Sequence, residues 1–189
     1  DADALVTGYS RSYPSVVKPV MQLIDKQQGV SRIATTNIMN TKRGPLFLSD
    51  TAINPNPSAE DLAKIALMTA KTVRMFGIEP VIAMISFSNF GSSSDESAIK
   101  VRQAVKFLHD NHPELIVDGE VQTDFALNPE MLKSKFPFSK LVNKKVNTLI
   151  FPNLDAANIT YKMLKELDKV VSIGPIMLGL DKPVHIFQL

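Results

Sequence analysis

The chain has 189 residues, of which 44% are hydrophobic and 21% are charged, and its formal net charge at pH 7 is +2. So high an apolar fraction with so little net charge is typical of a globular protein and excludes intrinsic disorder. The sequence contains no cysteine, which excludes disulfides, Cys-ligated zinc and thiol catalysis and suits the reducing cytoplasm, where we expect the protein to reside.

The distribution of residues excludes two further classes of partner. Basic side chains are dispersed rather than clustered, so we expect no nucleic acid partner. The longest uninterrupted apolar run covers residues 81–85, whereas a membrane-spanning helix needs roughly 18, so we expect no membrane partner. The sequence does not begin with Met, and strand-like residues lie at both ends. We therefore expect residues 1–189 to be a single lobe from a longer chain.

Short apolar runs alternate with amphipathic stretches, which predicts an α/β fold. The first half is predicted to contain a strand at 5–6, a helix over 14–26, strands over 31–39 and 45–48, a helix between Ser58 and Gly77, and a strand over 80–85. The second half is predicted to contain helices over 96–110, 122–136 and 156–167 and strands over 115–117, 147–151, 170–173 and 184–187. Ser58 and Asp61 have the spacing of a capping box, and Gly77 suits a helix end. The expected architecture is a three-layer sandwich with a mostly parallel, mixed sheet.

A β-hairpin is predicted where the polar residues 40–44, ending in Gly44, separate the strands over 31–39 and 45–48. Its β-branched and apolar side chains, among them Ile38, favour a projecting arm that needs a partner. We therefore expect this β-hairpin arm to form a contact between subunits of a homodimer or higher oligomer.

A polar junction follows the apolar strand over 80–85 and leads into the next helix. In open α/β sheets, ligands bind beyond the carboxyl ends of strands, and hydroxyl and free N–H groups there suit a phosphate or carboxylate. A loop that only caps the helix through Ser94 would have the same composition. The junction lacks the Gly-Lys-Ser/Thr of a P-loop, so nucleoside triphosphate chemistry is not expected. The candidate ligand-binding residues are Ser86, Ser88, Asn89, Ser92 and Ser93.

A second polar junction follows the strand over 147–151. Asn153 precedes the next helix, in which Asn158, Tyr161 and Lys162 are spaced i, i+3 and i+4 and so share one face. An amide, a phenol and an ammonium group together suit a phosphate or an acyl oxygen. Alternatively, Tyr161 packs inward, Asp155 caps the helix and Lys162 is solvated.

Metal sites have less support. Asp118, Glu120 and Asp124 could hold a hard cation, but such residues more often belong to a strand end and a helix first turn. His109 and His112 have ligand-like spacing but no third partner. We therefore predict no metal ligand in this chain.

The sequence resembles the phosphate acetyl/butyryl transferase family in four stretches, residues 50–57, 118–122, 151–162 and 173–184. These stretches occur in order over nearly the whole chain, so the resemblance is more specific than any one motif. It implies a phosphotransacetylase-like domain of two lobes, of which this chain resembles the inserted lobe.

Several residues resemble one branch of that family, the C-terminal domain of hybrid bacterial malic enzymes. They are Asn89 in the Ser-rich loop, Ala157 where glycine is usual, His185 where asparagine is usual and Gln188 where serine is usual. The resemblance implies allosteric sensing of acetyl-CoA and assembly into an oligomer. It also implies a malic enzyme catalytic domain in the same chain, which would oxidise and decarboxylate malate with NAD(P), expected to be NADP, and Mg²⁺ or Mn²⁺.

The resemblance also implies that the chain stops short of the Arg-Gly segment and the Asp that active transferases need, so no catalytic residue is expected. We predict a non-catalytic regulatory and oligomerisation domain of an NAD(P)-dependent malic enzyme, with acetyl-CoA or CoA as its ligand. The alternative is a phosphate acetyltransferase, in which Ser88, Asn158 and Lys162 would orient the phosphate. A third hypothesis is a structural dimerisation lobe without a ligand.

Overall fold

The computed structural model of the protein describes residues 3–9 and 13–188, with the side chains at positions 9, 14, 187 and 188 left out. The strands are β1 (Leu5–Tyr9), β2 (Ala34–Thr41), β3 (Gly44–Ser49), β4 (Val81–Ile85), β5 (Ile116–Val121), β6 (Thr148–Ile150), β7 (Val171–Leu178) and β8 (Val184–Gln188). The helices are α1 (Tyr13–Leu23), α2 (Ala59–Met75), α3 (Glu96–Asn111), α4 (Thr123–Leu127), α5 (Pro129–Lys135) and α6 (Leu154–Leu167).

These strands form one mixed sheet in the order β1-β8-β7-β2-β3-β6-β4-β5. The pairs β1–β8, β3–β6, β6–β4 and β4–β5 are parallel, and the three pairs that join β8, β7, β2 and β3 are antiparallel. The predicted α/β fold with a mostly parallel, mixed sheet is confirmed.

Helices cover both faces of the sheet, which makes three layers. Alternate residues of β4 show this, because successive side chains of a strand point to opposite faces. Ile82 and Met84 pack in a core cluster with α2 and α3, whereas Ala83 packs in a second cluster with α5 and α6. Apolar burial on both faces explains why β4 is a continuous apolar run.

The capping box of α2 is present as predicted. Asp61 N–H donates to Ser58 Oγ at 3.1 Å, and Ser58 N–H donates to Asp61 Oδ2 at 3.1 Å. Gly77 has φ +72°, and its N–H donates to Arg74 O at 2.9 Å, which closes the helix.

The helical region predicted over 122–136 is present, but it consists of two short helices, α4 and α5. Pro129 lacks an N–H and its ring clashes with the preceding turn, so a continuous helix cannot pass through it. The chain restarts with Pro129 in the first turn of α5, where Asn128 Oδ1 accepts from Met131 N–H at 3.1 Å.

The predicted hairpin is present, but it does not project as an arm. The strands β2 and β3 pair antiparallel in the middle of the sheet, between β7 and β6. Ile38 is 5% exposed and packs with Phe47 and Val73. The expectation that this hairpin projects apolar side chains toward a partner is therefore wrong, because those side chains are buried within the chain.

In residues 3–9 and 13–188, none of the helices combines the length and the hydropathy needed to cross a membrane.

Candidate functional site

The two polar junctions singled out from the sequence lie at the same edge of the sheet. The strands β3, β6 and β4 are parallel neighbours, so their carboxyl ends are side by side. The Ser-rich loop follows β4, the segment around Asn153 follows β6, and the loop beginning at Asp50 follows β3. Parallel pairing thus brings together segments that are far apart in sequence.

Lys100 on α3 joins these segments, although the sequence reasoning did not single it out. Its Nζ donates to Asn56 Oδ1 at 2.8 Å and to Pro152 O at 2.9 Å. Burial lowers the pKa of this amine. A polar cleft of about 450 Å³ lies beside it, lined by Asn56, Asp95, Glu96, Ser97 and Lys100.

The Ser-rich loop is organised around the buried carboxylate of Glu120. Ser88 Oγ donates to Glu120 Oε1 at 2.8 Å, and the N–H of Gly91 donates to the same oxygen at 2.8 Å. Ser88 Oγ also accepts from Ser93 N–H at 3.1 Å and lies 3.0 Å from Ser92 Oγ. The hydroxyl of Ser88 therefore has its full set of partners within the protein.

The other predicted polar groups of this loop also bind the chain itself. Ser86 Oγ accepts from Ser88 N–H at 3.2 Å, and Asn89 Oδ1 accepts from Gln122 N–H at 2.8 Å. Ser92 Oγ accepts from Asn89 N–H at 2.9 Å, and Ser93 Oγ accepts from Asp95 N–H at 3.1 Å. The structure brings the five predicted residues together, but their side chains bind one another or other groups of the chain.

Glu120 is held by Arg102 as well as by the loop. Arg102 Nε donates to Glu120 Oε2 at 3.0 Å and Arg102 Nη2 to Oε1 at 3.0 Å, while Nη2 also donates to Ser93 O at 2.9 Å. Burial by itself would raise the pKa of Glu120, but the hydrogen bonds from Arg102, Gly91 and Ser88 outweigh it and hold that pKa below its usual value. The side chain of Glu120 is 0% exposed, so this carboxylate is a fixed internal anion.

The residue that caps α3 differs from the one suggested by the sequence. Asp95 is the N-cap, and its Oδ1 accepts from Ser97 N–H at 2.8 Å. Ser94 is exposed and lies one residue earlier. A carboxylate is a better acceptor than a hydroxyl at a helix N-terminus, where the dipole favours negative charge.

In the second junction, Asn153 rather than Asp155 caps the helix, with its Oδ1 accepting from Ala156 N–H at 2.9 Å. Asn158 Nδ2 donates to Thr51 O at 3.1 Å, which ties α6 to the loop after β3.

The other two residues of this helix face have different environments. Tyr161 packs against the core cluster that lies between α6 and the sheet, and burial raises the pKa of its phenol. Lys162 is exposed and makes no hydrogen bond or ion pair with the described residues.

A buried acidic group and an unpartnered phenol lie near this helix. Asp50 Oδ1 accepts from Thr35 Oγ1 at 2.6 Å, and Asp50 Oδ2 accepts from Asn54 Nδ2 at 2.6 Å. Tyr13 is 7% exposed, and its hydroxyl has no hydrogen-bond partner among the described residues. Burial, the charge of Asp50 and the neighbouring Tyr161 all raise the pKa of Tyr13. The sequence carried no signal that Tyr13 would lie close enough to Asp50 to feel its charge, because the two residues are far apart in the chain.

The acidic residues that could have formed a metal site are directed to different partners. Asp118 Oδ2 accepts from Ser139 Oγ and from Lys140 N–H, both at 2.8 Å, and Glu120 is bound to Arg102. Asp124 is exposed at the start of α4. Within residues 3–9 and 13–188, no three His, Cys, Asp or Glu side chains are grouped as a metal ion requires.

Besides Asn89, two of the positions that suggested the malic enzyme branch can be described. Ala157 lies on the inner side of α6, is 0% exposed and packs in the core cluster on that face of the sheet. His185 is exposed on β8, and the side chain of Gln188 lies outside the described part of the chain.

Comparison with known proteins gives relatives of two kinds. The chain is 40% identical over 187 residues to the NADP-dependent malic enzyme of Haemophilus influenzae and 40% identical over 188 residues to the NAD-dependent malic enzyme of Rhizobium meliloti. It is also 40% identical over 184 residues to the phosphate acetyltransferase of Bacillus subtilis. The alignments cover 99%, 100% and 97% of this chain, but only 25%, 24% and 57% of the respective relatives.

Solved structures give the same fold. A phosphotransacetylase from Streptococcus pyogenes superposes with a TM-score of 0.91 at 40% identity, over 98% of this chain and 56% of that one. The EutD phosphotransacetylase from Staphylococcus aureus superposes with a TM-score of 0.90 at 37% identity, over 99% and 58%. Residues 1–188 match the model of the protein family described as phosphate acetyl/butaryl transferase. The chain belongs to the phosphate acetyl/butaryl transferase family.

Proposed function

We propose that this chain is a non-catalytic regulatory and oligomerisation domain of an NAD(P)-dependent malic enzyme and that it binds acetyl-CoA as an allosteric effector. The observation that carries the proposal is that the hydroxyl of Ser88 already has its full set of hydrogen-bond partners within the chain. A transferase of the kind considered above needs Ser88 to orient a phosphate, but this hydroxyl is bound to Glu120, Ser92 and Ser93.

An effector would instead contact the groups at this edge that remain exposed. Lys162 carries an exposed ammonium group, and the ring of Phe87 is 58% exposed. In a ligand such as acetyl-CoA, the phosphates would pair with Lys162. The acetyl group and the methylene groups of the pantetheine chain would pack on the ring of Phe87. Because a ligand shifts an equilibrium only through its different affinity for two states, regulation requires two arrangements of the subunits.

The oligomerisation part of the proposal is supported by an apolar surface on α6. Side chains at i, i+4 and i+8 of this helix form an exposed stripe. We define the α6 stripe as Ile159, Met163 and Leu167, each more than half exposed. Exposed apolar patches of this kind are typical of contacts between proteins, so this stripe replaces the hairpin as the proposed contact between copies.

In this proposal, NAD(P) and Mg²⁺ or Mn²⁺ would be held by a catalytic region outside residues 1–189. The described part of the chain has no group of metal-ligating side chains. The relatives include both NAD-dependent and NADP-dependent malic enzymes, so the proposal is made for NAD(P) in general.

The decisive experiment measures malate oxidation by the full-length protein with and without acetyl-CoA, together with calorimetric titration of acetyl-CoA. We expect Lys162→Ala to raise the acetyl-CoA concentration for half-maximal effect about tenfold without changing the oligomer. The matched control is Lys165→Ala, three residues along the same helix, which should leave that concentration unchanged. Absence of both heat and a rate effect at millimolar acetyl-CoA would contradict the proposal and leave only a structural lobe.

The second candidate is a phosphate acetyltransferase that moves an acetyl group between acetyl-CoA and phosphate. It is favoured by the close superposition on phosphotransacetylases at 37% and 40% identity. Formation of acetyl phosphate from acetyl-CoA and phosphate by the full-length protein would establish it. Clear turnover that is lost in Lys162→Ala would replace the regulatory proposal with this one.

A further inference from the structure

A second cleft lies at the other edge of the sheet, away from the two polar junctions. It opens where β3 and β6 begin, whereas the junctions described above follow the ends of these strands. The turn between β2 and β3 forms one wall, and the end of α6 together with the segment leading into β7 forms another. The cleft has a volume of about 400 Å³, which is within the range of small-molecule sites.

The floor of this cleft is apolar and belongs to the core on that face of the sheet. The side chains that form it are Leu46, Leu127, Val146, Leu149, Leu164 and Val170. Thr123 and Thr160 also line the cleft, and the Thr160 hydroxyl donates to Ala156 O at 2.6 Å, which leaves it only as an acceptor for a ligand. A lining of this kind accepts the apolar body of a small molecule and offers a few polar contacts to orient it.

The mouth of the cleft is cationic. Four basic side chains line it, Lys42, Arg43, Lys145 and Lys169, against the single carboxylate of Asp168. All four are exposed, and in the described part of the chain none of them makes an ion pair or a side-chain hydrogen bond. The side chain of Lys145 extends over the turn between β2 and β3. Its ammonium group is so close to Gly44 that a Cβ atom added there would lie 3.7 Å from Lys145 Nζ.

Four cations against one carboxylate leave a net positive charge around an apolar floor, and this charge creates a local field that attracts anions. Elsewhere on the chain, cations such as Arg74 and Lys106 are paired with carboxylates. We propose that this cleft binds a small amphipathic anion, with its apolar body on the floor and its phosphate or carboxylate group among the four cations. The proposal does not depend on the acetyl-CoA proposal, because it concerns the opposite edge of the sheet.

The test is calorimetric titration of the full-length protein with three probes. Phenyl phosphate and octanoate each join an apolar body to one of the two anionic groups, and inorganic phosphate is the anion alone. We expect at least one amphipathic probe to bind with a dissociation constant below about 1 mM, and inorganic phosphate to bind at least tenfold more weakly. The probe that binds more tightly identifies the preferred anionic group.

Charge-reversal variants locate the binding. We expect Arg43→Glu and Lys145→Glu each to weaken binding of the amphipathic probe by about tenfold or more. These residues are exposed, so the variants should fold. Lys106→Glu on α3, on the other face of the sheet, is the matched control and should leave the affinity unchanged. The proposal is overturned if neither amphipathic probe binds, if inorganic phosphate binds as tightly, or if Arg43→Glu and Lys145→Glu bind like the unmodified protein.

Discussion

Arg102 and Glu120 form a two-point ion pair in which Nε and Nη2 each lie 3.0 Å from a different carboxylate oxygen. The pair joins α3 to the end of β5, and the Ser-rich loop is folded over it through Ser88 and Gly91. A carboxylate contributed by the protein therefore receives the donors that the sequence had suggested for an external anion.

Replacing Glu120 should destabilise the protein in a pH-dependent way. The pKa of Glu120 is lowered in the folded state, so its contribution is fully present above the unfolded-state value of about 4.3 and is lost as the pH falls through the lower folded-state value. We expect Glu120→Gln to reduce the free energy of unfolding by about 2 kcal/mol at pH 7, the usual size for hydrogen bonds to a charged group. Urea denaturation at neutral and acidic pH measures both effects.

The matched control is Glu166→Gln, an exposed residue near the end of α6. Its effect should stay within about 0.5 kcal/mol. An equal loss in the two variants, or a Glu120→Gln loss that does not shrink in acid, would contradict the assigned role of Glu120.

The α6 stripe should control the proposed association. We expect Met163→Asp to dissociate the proposed oligomer, because Met163 is 53% exposed and lies in the middle of the stripe. Since the side chain is exposed in the single chain, the variant should remain folded. Sedimentation velocity combined with circular dichroism measures both properties, and an unchanged oligomer would eliminate the stripe as a contact.

Ile38→Asp should behave differently from Met163→Asp. Ile38 is buried in the middle of the sheet, so an aspartate there would be an unpaired buried charge. We expect a loss of about 3–5 kcal/mol in the free energy of unfolding, measured by urea denaturation. Dissociation into folded subunits would restore the hairpin as an interface.

Glycine is required at position 119 because of a close contact rather than for flexibility alone. A Cβ added at Gly119 would lie 2.5 Å from Met84 O on the neighbouring strand, and φ there is +143°. At Gly77, φ is +72° but no atom lies within 4 Å of an added Cβ. We expect Gly77→Ala to cost about 1 kcal/mol from its backbone conformation alone and Gly119→Ala to cost several-fold more. Similar losses in thermal denaturation would show that the contact with Met84 relaxes easily.

The unpartnered phenol offers a stabilising change. The hydroxyl of Tyr13 is buried without a partner in the described part of the chain, and a buried polar group left unpaired costs about 1–3 kcal/mol. We expect Tyr13→Phe to leave the free energy of unfolding unchanged or to raise it by about 1 kcal/mol, as measured in urea. A loss of more than about 1 kcal/mol would show that the hydroxyl has a partner.

Local sequence predicted much of the fold. The capping box of Ser58 and Asp61 and the buried strand over 80–85 depend on neighbouring residues, and both are present as predicted. The alternation of helices and strands also placed each polar junction at the carboxyl end of a strand, and the structure shows that these ends lie at the same edge of the sheet. The break at Pro129 could have been predicted, since proline in a helix interior removes a hydrogen bond and clashes with the previous turn.

The composition and pattern of this sequence determined an α/β sheet, its helix caps and the edge where polar loops gather. Only the tertiary structure decided which groups those loops bind. Ser88 contacts Glu120 across 32 positions of the sequence, and Asn158 contacts Thr51 across 107. Hydrogen-bond partners at such separations depend on strand order and register, which no local pattern contains. The hairpin shows the same limit: its turn residues predicted the antiparallel pair, but the strands that flank it decided that the pair would lie at the centre of the sheet.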